Sequence, residues 1–231
     1  MTVHRFKLLA FDLDGTLVNS LGMIDAAINR VLQQHDLPTI GGALLREPIG
    51  LPLEDCVRYW LERVNPAASA VQQAFVHEIS EAYRQYFRAL RNSGQYAEPM
   101  FPGVLATLDA LVAEDVFMAI VTGKDLPGLQ RVIEHHNLAS YFDGNLNTPT
   151  HYSGKPSPEM LIGAAEKSMQ ALEDCVVVGD TVFDIQMAQN AEVKSIGVSY
   201  GNHAADRLLA AGADAVIDHF AELPAALATI S

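Results

Sequence analysis

The first strongly apolar stretch of the chain lies near its N-terminus. It covers residues 6–11 and is interrupted only by Lys7. This length is typical of a buried β-strand and is too short for a helix. Two aspartates follow, Asp12 and Asp14, and the alternation along a strand would put both carboxylates on the same side. The pattern therefore predicts a strand that ends in a pair of acids.

The next part of the chain, residues 19–94, shows only helical periodicity. Its apolar residues recur at steps of three and four, as they do on one face of a helix. The predicted helices begin at Ser20 as N-cap, at about Leu53, and at Asn65–Pro66. We therefore predict an all-helical unit inserted directly after the first strand.

After Pro102 and Gly103, short apolar strands alternate with helices. Such alternation favours a parallel sheet with helices on both faces. We predict an α/β fold, in which a Rossmann-like core domain comprises residues 1–18 and 95–231 and a small helical domain comprises residues 19–94. Residues 141–153 are rich in loop-forming residues and are not assigned to a particular element. The predicted strands are 116–121, 175–178, 193–198 and 215–217, and the predicted helices are 104–113, 182–191 and 204–211, with others beginning near Asp125, Lys155 and Ala221.

The composition is that of an ordinary globular protein, with 231 residues, 49% hydrophobic and 19% charged. This length allows one large domain or two modest ones. The net charge of −13 disfavours a nucleic-acid partner, because phosphate backbones require clustered lysines and arginines. A local positive site could still hold a small anion.

The two cysteines, Cys56 and Cys175, offer neither a disulfide framework nor the spacing of a metal site. Both lie in apolar surroundings and are predicted to be small buried hydrophobes. No apolar run approaches the ~20 residues of a membrane helix, and the stretch before Asp12 is too short for a signal peptide. We expect a cytoplasmic protein with no membrane partner.

Polar residues follow several of the predicted strands. Asp12 and Asp14 come after the first strand, Thr122 and Asp180 end two later ones, and Lys155 opens a helix. Ligands of open α/β sheets bind outside the carboxyl ends of the strands. These side chains are therefore expected to converge on one site.

These stretches resemble, in order, the four motifs of the haloacid dehalogenase superfamily, whose phosphotransferases use an aspartate nucleophile. Asp12-Leu13-Asp14-Gly15-Thr16 resembles the first motif, and Thr122 resembles the second. Lys155, with the prolines that follow it, resembles the third motif, and Gly179-Asp180-Thr181-x-x-Asp184 resembles the fourth. The tail 210–217 is similar to that of the phosphoglycolate phosphatase-like branch. Residues 19–94 occupy the position of that branch's helical cap.

The resemblance implies a phosphatase that hydrolyses a small, phosphoglycolate-like phosphate monoester. Asp12 would be the nucleophile and form an aspartyl-phosphate. Asp14 would protonate the leaving group and then activate water. Thr122 and Lys155 would hold the transferring phosphoryl oxygens.

The resemblance also implies Mg²⁺, which suits oxygen ligands. The metal would bind the Asp12 carboxylate, the backbone carbonyl of Asp14, and Asp180. Asp184 would act through water or orient the other ligands. Each feature has a simpler explanation on its own, since Asp180 and Asp184 could complement a helix dipole. Likewise Thr122 could cap a strand end, and Lys155 could be a solvated loop lysine.

Two further residues are candidates for substrate binding, beside Thr122 and Lys155. Arg46 lies near the loop that contains Gly50, and its guanidinium would fork onto a substrate carboxylate. A plain surface arginine is equally compatible with this position. Gly123 stands where many relatives have asparagine, which would loosen hydrogen bonding on the substrate side.

Other functions remain open from the sequence. A sugar-phosphate mutase resembling beta-phosphoglucomutase would keep every core residue. A catalytically silent phosphate-binding module is disfavoured by the intact pair Asp12 and Asp14. A dehalogenase does not need Asp14, and a phosphonatase needs a cap lysine, whereas residues 19–94 contain none. The expected partner is a small phosphorylated metabolite, bound by a monomer or a homodimer.

Overall fold

The computed structural model describes residues 5–65, 72–94 and 98–230. Within them, six strands form one sheet in the order β3-β2-β1-β4-β5-β6, and neighbouring strands pair in parallel. This confirms the predicted α/β fold. The strands are β1 (Leu8–Phe11), β2 (Phe117–Val121), β3 (Leu146–Asn147), β4 (Cys175–Gly179), β5 (Lys194–Val198) and β6 (Ala215–Ile217).

The helices agree closely with the sequence pattern. The predicted helix 104–113 and strand 215–217 have the observed bounds, and most other predicted ends differ by one or two residues. No helix in the described ranges is both long and apolar enough to cross a bilayer. The helices are α1 (Leu21–Gln34), α2 (Gly42–Arg46), α3 (Leu53–Val64), α4 (Gln73–Ser93), α5 (Val104–Ala113), α6 (Leu126–His135), α7 (Ala139–Phe142), α8 (Glu159–Ser168), α9 (Val182–Asn190), α10 (Ala205–Ala210) and α11 (Leu223–Ile230).

The central strand β1 is buried on both faces, which explains its unbroken apolar sequence. Leu9 and Phe11 belong to the hydrophobic cluster on one face of the sheet. Leu8 and Ala10 belong to the cluster on the other face, as alternation along a strand requires. Helices cover both faces. The carboxyl end of β1 lies between those of β2 and β4, in the middle of the row of strand ends.

A separate hydrophobic cluster lies within the helical insertion. Its buried members all fall between Met23 and Phe87 and include Trp60, which is 1% exposed. This cluster supports the division into a core and a cap domain, which stays a prediction. The predicted helix start at Pro66 and the domain boundary at residue 95 lie outside the described residues.

The chain enters and leaves the cap at adjacent points. Val18 and Met100 form an antiparallel bridge. The amide of Asn19 donates to the carbonyl of Pro99 at 2.8 Å, and the amide of Phe101 donates to the carbonyl of Leu17 at 3.0 Å. The two connections therefore cross side by side.

Two local features could not be read from the sequence pattern. Residues 141–153 contain the end of α7 and the edge strand β3, which has only two residues and too little pattern to be detected. Ser20 occupies the N-cap position of α1, but its side chain makes no capping hydrogen bond. Its hydroxyl is buried and has no partner within the part of the chain that the structure describes.

Candidate active site

The site lies at the carboxyl edge of the sheet, where three adjacent strands end. Asp12 follows β1, Thr122 follows β2, and Asp180 follows β4. Because β1 pairs with both β2 and β4, the loops that carry these residues are neighbours. Lys155 comes from the segment between β3 and α8. The expected convergence of distant motifs is therefore what the structure shows.

Lys155 lies between two carboxylates. Its Nζ is 2.6 Å from Oδ1 of Asp12 and 2.5 Å from Oδ1 of Asp184, and all three side chains are at most 2% exposed. Burial alone would lower the pKa of Lys155, but the two carboxylates outweigh it and raise the pKa above its usual range. The ammonium group therefore stays charged, and it is not a solvated loop lysine.

Three buried aspartates could hold a metal ion. Asp12, Asp180 and Asp184 each offer a carboxylate oxygen, and these oxygens all lie within 4.8 Å of one another. Burial, and next the charge of Asp184, raises the pKa of Asp180 to about 7. Burial also holds the pKa of Asp12 well above its usual range, despite the nearby Lys155. Oδ2 of Asp12 is buried and accepts no hydrogen bond from any described residue.

This donor set fits a hard divalent cation. Burying several carboxylates together is costly unless positive charge compensates them. Lys155 supplies one charge, and oxygen-only ligands are those preferred by Mg²⁺ and Ca²⁺. The orphaned Oδ2 of Asp12 is the oxygen that such an ion, or a substrate, would satisfy.

Neighbouring polar groups fix the orientation of the two later aspartates. Asp180 accepts hydrogen bonds from Oγ1 of Thr16 at 3.0 Å and from the amide and Nδ2 of Asn202 at 2.7 and 2.8 Å. Asp184 accepts from the amide and Oγ1 of Thr181, so it also caps α9. Sequence reasoning missed Asn202. Its position after β5 follows the same strand-end rule that singled out the others.

Asp14 lies apart from the three clustered aspartates and pairs with a lysine. Nζ of Lys124 is 2.9 Å from Oδ2 of Asp14 and lies 4.9 Å from the ring centroid of Phe87, on the cap. Lys124 was not among the residues predicted for the site, although it follows Thr122 by two residues. The carbonyl of Asp14, expected to bind metal, is 3.4 Å from Nδ2 of Asn202, and its role as a ligand stays a prediction.

Thr122 and Gly123 form the floor of the site beside the cap. Thr122 is 1% exposed, and its Oγ1 accepts from the amide of Lys124 at 3.3 Å. A Cβ on Gly123 would lie 2.4 Å from the carbonyl oxygen of Leu51 and 2.8 Å from that of Gly50. Glycine therefore allows residues 47–52, here called the cap loop, to approach the core closely.

A cavity of about 540 Å³ opens between the cap and the core. Asp12, Asp14, Thr122 and Gly123 line its core side. From the cap come the cap loop and helices α3 and α4, which supply Ile49, Leu51, Trp60, Tyr83, Phe87, Arg84, Arg88 and Arg91 among others.

Arg46 does not line this cavity in the described structure. Its Nη1 donates to the carbonyl of Gly201 at 3.2 Å. The next residue, Glu47, forms a two-bond ion pair with Arg207 at 2.7 and 2.8 Å. The structure thus places Arg46 in a contact between cap and core, and its expected role on a substrate carboxylate gains no support. The position of a helix end against a distant loop could not be read from the sequence.

The sequence model of one family matches most of the chain. That family is described as haloacid dehalogenase-like hydrolase, and the match covers residues 9–198. The chain belongs to this family, as the four motifs predicted.

Individual relatives agree with this assignment. The chain is 33% identical over 218 residues to "Probable phosphatase IndB" of Dickeya dadantii, covering 94% of this chain and 91% of the relative. It is 28% identical over 223 residues to a phosphoglycolate phosphatase of Vibrio parahaemolyticus, covering 96% of each. A crystal structure described as a predicted phosphoglycolate phosphatase from Haemophilus somnus has a TM-score of 0.84 and 25% identity, covering 95% of this chain and 96% of the other. The protein is an enzyme, a hydrolase of the phosphatase type.

Proposed function

We propose that this protein is a magnesium-dependent phosphatase that hydrolyses a small phosphate monoester through an aspartyl-phosphate on Asp12. One observation carries the proposal. The buried Asp12, at the end of the central strand, contacts Lys155, and one of its carboxylate oxygens lies within 4.8 Å of carboxylate oxygens of Asp180 and Asp184. The phosphatase relatives support this reading of the cluster.

The proposed chemistry has two steps, each assigned to residues of this chain. In the first, Oδ2 of Asp12 attacks phosphorus, Thr122 and Lys155 hold the phosphoryl oxygens, and Asp14 gives its proton to the leaving alkoxide. In the second, Asp14 takes a proton from a water molecule, which attacks the aspartyl-phosphate, releases phosphate and regenerates Asp12. The position of Lys155 on Oδ1 of Asp12 leaves Oδ2 free for the attack.

Asp12, Asp180 and Asp184, with the carbonyl of Asp14, would hold Mg²⁺. When bound, the ion would neutralise the clustered carboxylates and the charge of the transferring phosphoryl group. The hydrogen bonds from Thr16 and Asn202 keep the Asp180 carboxylate aimed into the site. These donors make the ligand position rigid before any ion arrives.

The proposed substrate is a small metabolite of phosphoglycolate type. Relatives named phosphoglycolate phosphatase support this class, and a volume of about 540 Å³ is within the usual range for small-molecule sites. The net charge of −13 favours a small ligand over nucleic acid. We propose a cytoplasmic monomer or homodimer.

The decisive experiment separates hydrolase, mutase and silent binder. Purified protein with Mg²⁺ is screened for phosphate release from phosphoglycolate, sugar phosphates, nucleotides and pyrophosphate. A hydrolase releases phosphate steadily without a bisphosphate primer. Efficient isomerisation of a sugar phosphate with negligible phosphate release would establish the mutase instead. Phosphate binding with neither reaction would leave only a binding module.

A further inference from the structure

Four arginines line the cavity between cap and core, and two of them have acidic partners. Arg84 on α4 pairs with Asp125 at 3.2 Å, across the boundary between cap and core. Arg91, two turns further along α4, forms a two-bond ion pair with Glu98 at 2.6 and 2.8 Å. These two guanidinium groups are neutralised within the protein.

The other two, Arg88 and Arg131, form no hydrogen bond or ion pair with any residue of the ranges 5–65, 72–94 and 98–230. Arg88 lies on α4, one turn beyond Arg84, and is exposed at the cavity. Arg131 lies on α6 and is half-buried. One therefore belongs to the cap wall and the other to the core wall of the same cavity.

An anion would account for both side chains. Two guanidinium groups in one cavity repel each other, and the partial burial of Arg131 weakens its hydration. The chain carries a net charge of −13, so acidic residues are abundant, yet neither arginine has an acidic partner among the described residues. Guanidinium binds carboxylate or phosphate oxygens through two parallel hydrogen bonds.

We propose that Arg88 and Arg131 bind a second anionic group, carried by the leaving group of the substrate, and that they determine specificity. This inference rests on the phosphatase function proposed above. The shared chemistry is a second carboxylate or phosphate on a small phosphate monoester. Because the arginines come from opposite walls, that anion would also hold the cap against the core while the ester is bound.

The test compares three esters that differ in one group. They are 2-phosphoglycolate, 2-hydroxyethyl phosphate, in which a hydroxymethyl replaces the carboxylate, and ethylene glycol bisphosphate. The variants are Arg88→Met and Arg131→Met, which keep a long apolar side chain. The matched control is Arg63→Met, at an exposed arginine of α3 whose contacts are with its own helix.

The wild-type enzyme is expected to prefer one ester with an anionic leaving group over 2-hydroxyethyl phosphate, here called the neutral ester because its leaving group is uncharged. The expected preference is roughly 10- to 100-fold in kcat/KM, as for loss of a charged hydrogen bond. Arg88→Met and Arg131→Met should each remove most of that preference, mainly through KM, and leave the neutral ester and Arg63→Met near wild type. The anionic ester whose kcat/KM falls more in these variants identifies carboxylate or phosphate as the recognised group. Equal kcat/KM values for the three esters, or equal losses on all of them, would overturn the inference.

A binding measurement separates this inference from the proposed function. Calorimetric titration of Asp12→Asn with the same three esters needs no turnover. Tighter binding of an anionic ester that disappears in Asp12→Asn/Arg131→Met supports the anion site, even if no ester is hydrolysed. Equal affinity for anionic and neutral esters rejects the site, even if phosphatase activity is found.

Discussion

The carbonyl oxygen of Leu51 occupies the space that a side chain on Gly123 would need. A Cβ at residue 123 would lie 2.4 Å from that oxygen, which is closer than such atoms approach in proteins. Gly123 follows β2 in the core, and Leu51 belongs to the cap loop. The glycine that was expected to loosen hydrogen bonding to substrate therefore has a second effect, since it allows the cap loop to seat on the core.

Gly123→Ala is expected to displace the cap loop. It should lower kcat/KM for the natural ester by roughly 10- to 100-fold, a range that displacements of about 1 Å can produce. Hydrolysis of p-nitrophenyl phosphate should change little, because that ester needs only the core groups. Gly22→Ala is the control, since an added Cβ there would have no atom of another described segment within 4 Å. An equal loss on both esters would show that the core itself is disturbed.

Asp12→Asn is expected to leave a folded protein without turnover. The amide cannot attack phosphorus, so activity should fall by more than about 10⁴-fold, as for other lost nucleophiles. Phosphate release and the circular dichroism spectrum are the measurements. Asp115→Asn, at an exposed residue with positive φ, is the matched control. Substantial activity in folded Asp12→Asn would remove Asp12 from its central role.

Mg²⁺ is expected to stabilise the protein through the three buried aspartates. At about 100 times its Kd, a bound ion adds about 2.7 kcal/mol, or roughly 5–10 °C in Tm for a chain of this size. Asp180→Ala should abolish this rise at the same Mg²⁺ concentration and strongly increase the Mg²⁺ needed for activity. Glu166→Ala, at an exposed acid on α8, should respond like wild type. Activity that persists in excess chelator would contradict a metal site.

Asp14→Asn is expected to affect esters according to their leaving group. An alkoxide needs a proton, so kcat for an alkyl ester should fall by roughly 10²- to 10⁴-fold. p-Nitrophenolate is a stable anion, and its ester should lose far less. Steady-state kinetics on both esters in one protein preparation provide the comparison. If the two losses are equal, Asp14 acts through the ion pair with Lys124 or through local structure, and not as the proton donor.

Local patterns were sufficient for the parts of the site that follow strongly apolar strands. The buried runs before Asp12, Thr122 and Asp180 have few alternatives to a strand in a covered parallel sheet. Once those strands are parallel, their ends share one edge, so the convergence follows from topology. The bounds of helices α5 and α9 could also be predicted from the sequence, because nearby residues determine where these helices begin and end.

Contacts between distant segments could not be predicted in this way. Strand β3 has two residues, and its pairing with β2 leaves almost no periodic signal. Arg46 has the chemistry of a carboxylate ligand, but the docking of the cap directs it to Gly201. The pairing of Lys124 with Asp14 depends on the relative placement of cap and core, and so does the lack of a partner for Arg88 within the described part of the chain.

The backbone hydrogen bonds from Asn19 to Pro99 and from Phe101 to Leu17 bring the two ends of the insertion together. The core sheet requires only that the two ends of the insertion meet, as the two ends of a short turn do. Recombination that exchanges this single contiguous stretch between related genes would deliver a new lid with a new leaving-group pocket. The strands and their aspartates would be unchanged, so the same core could act on different metabolites after the insertion had been exchanged.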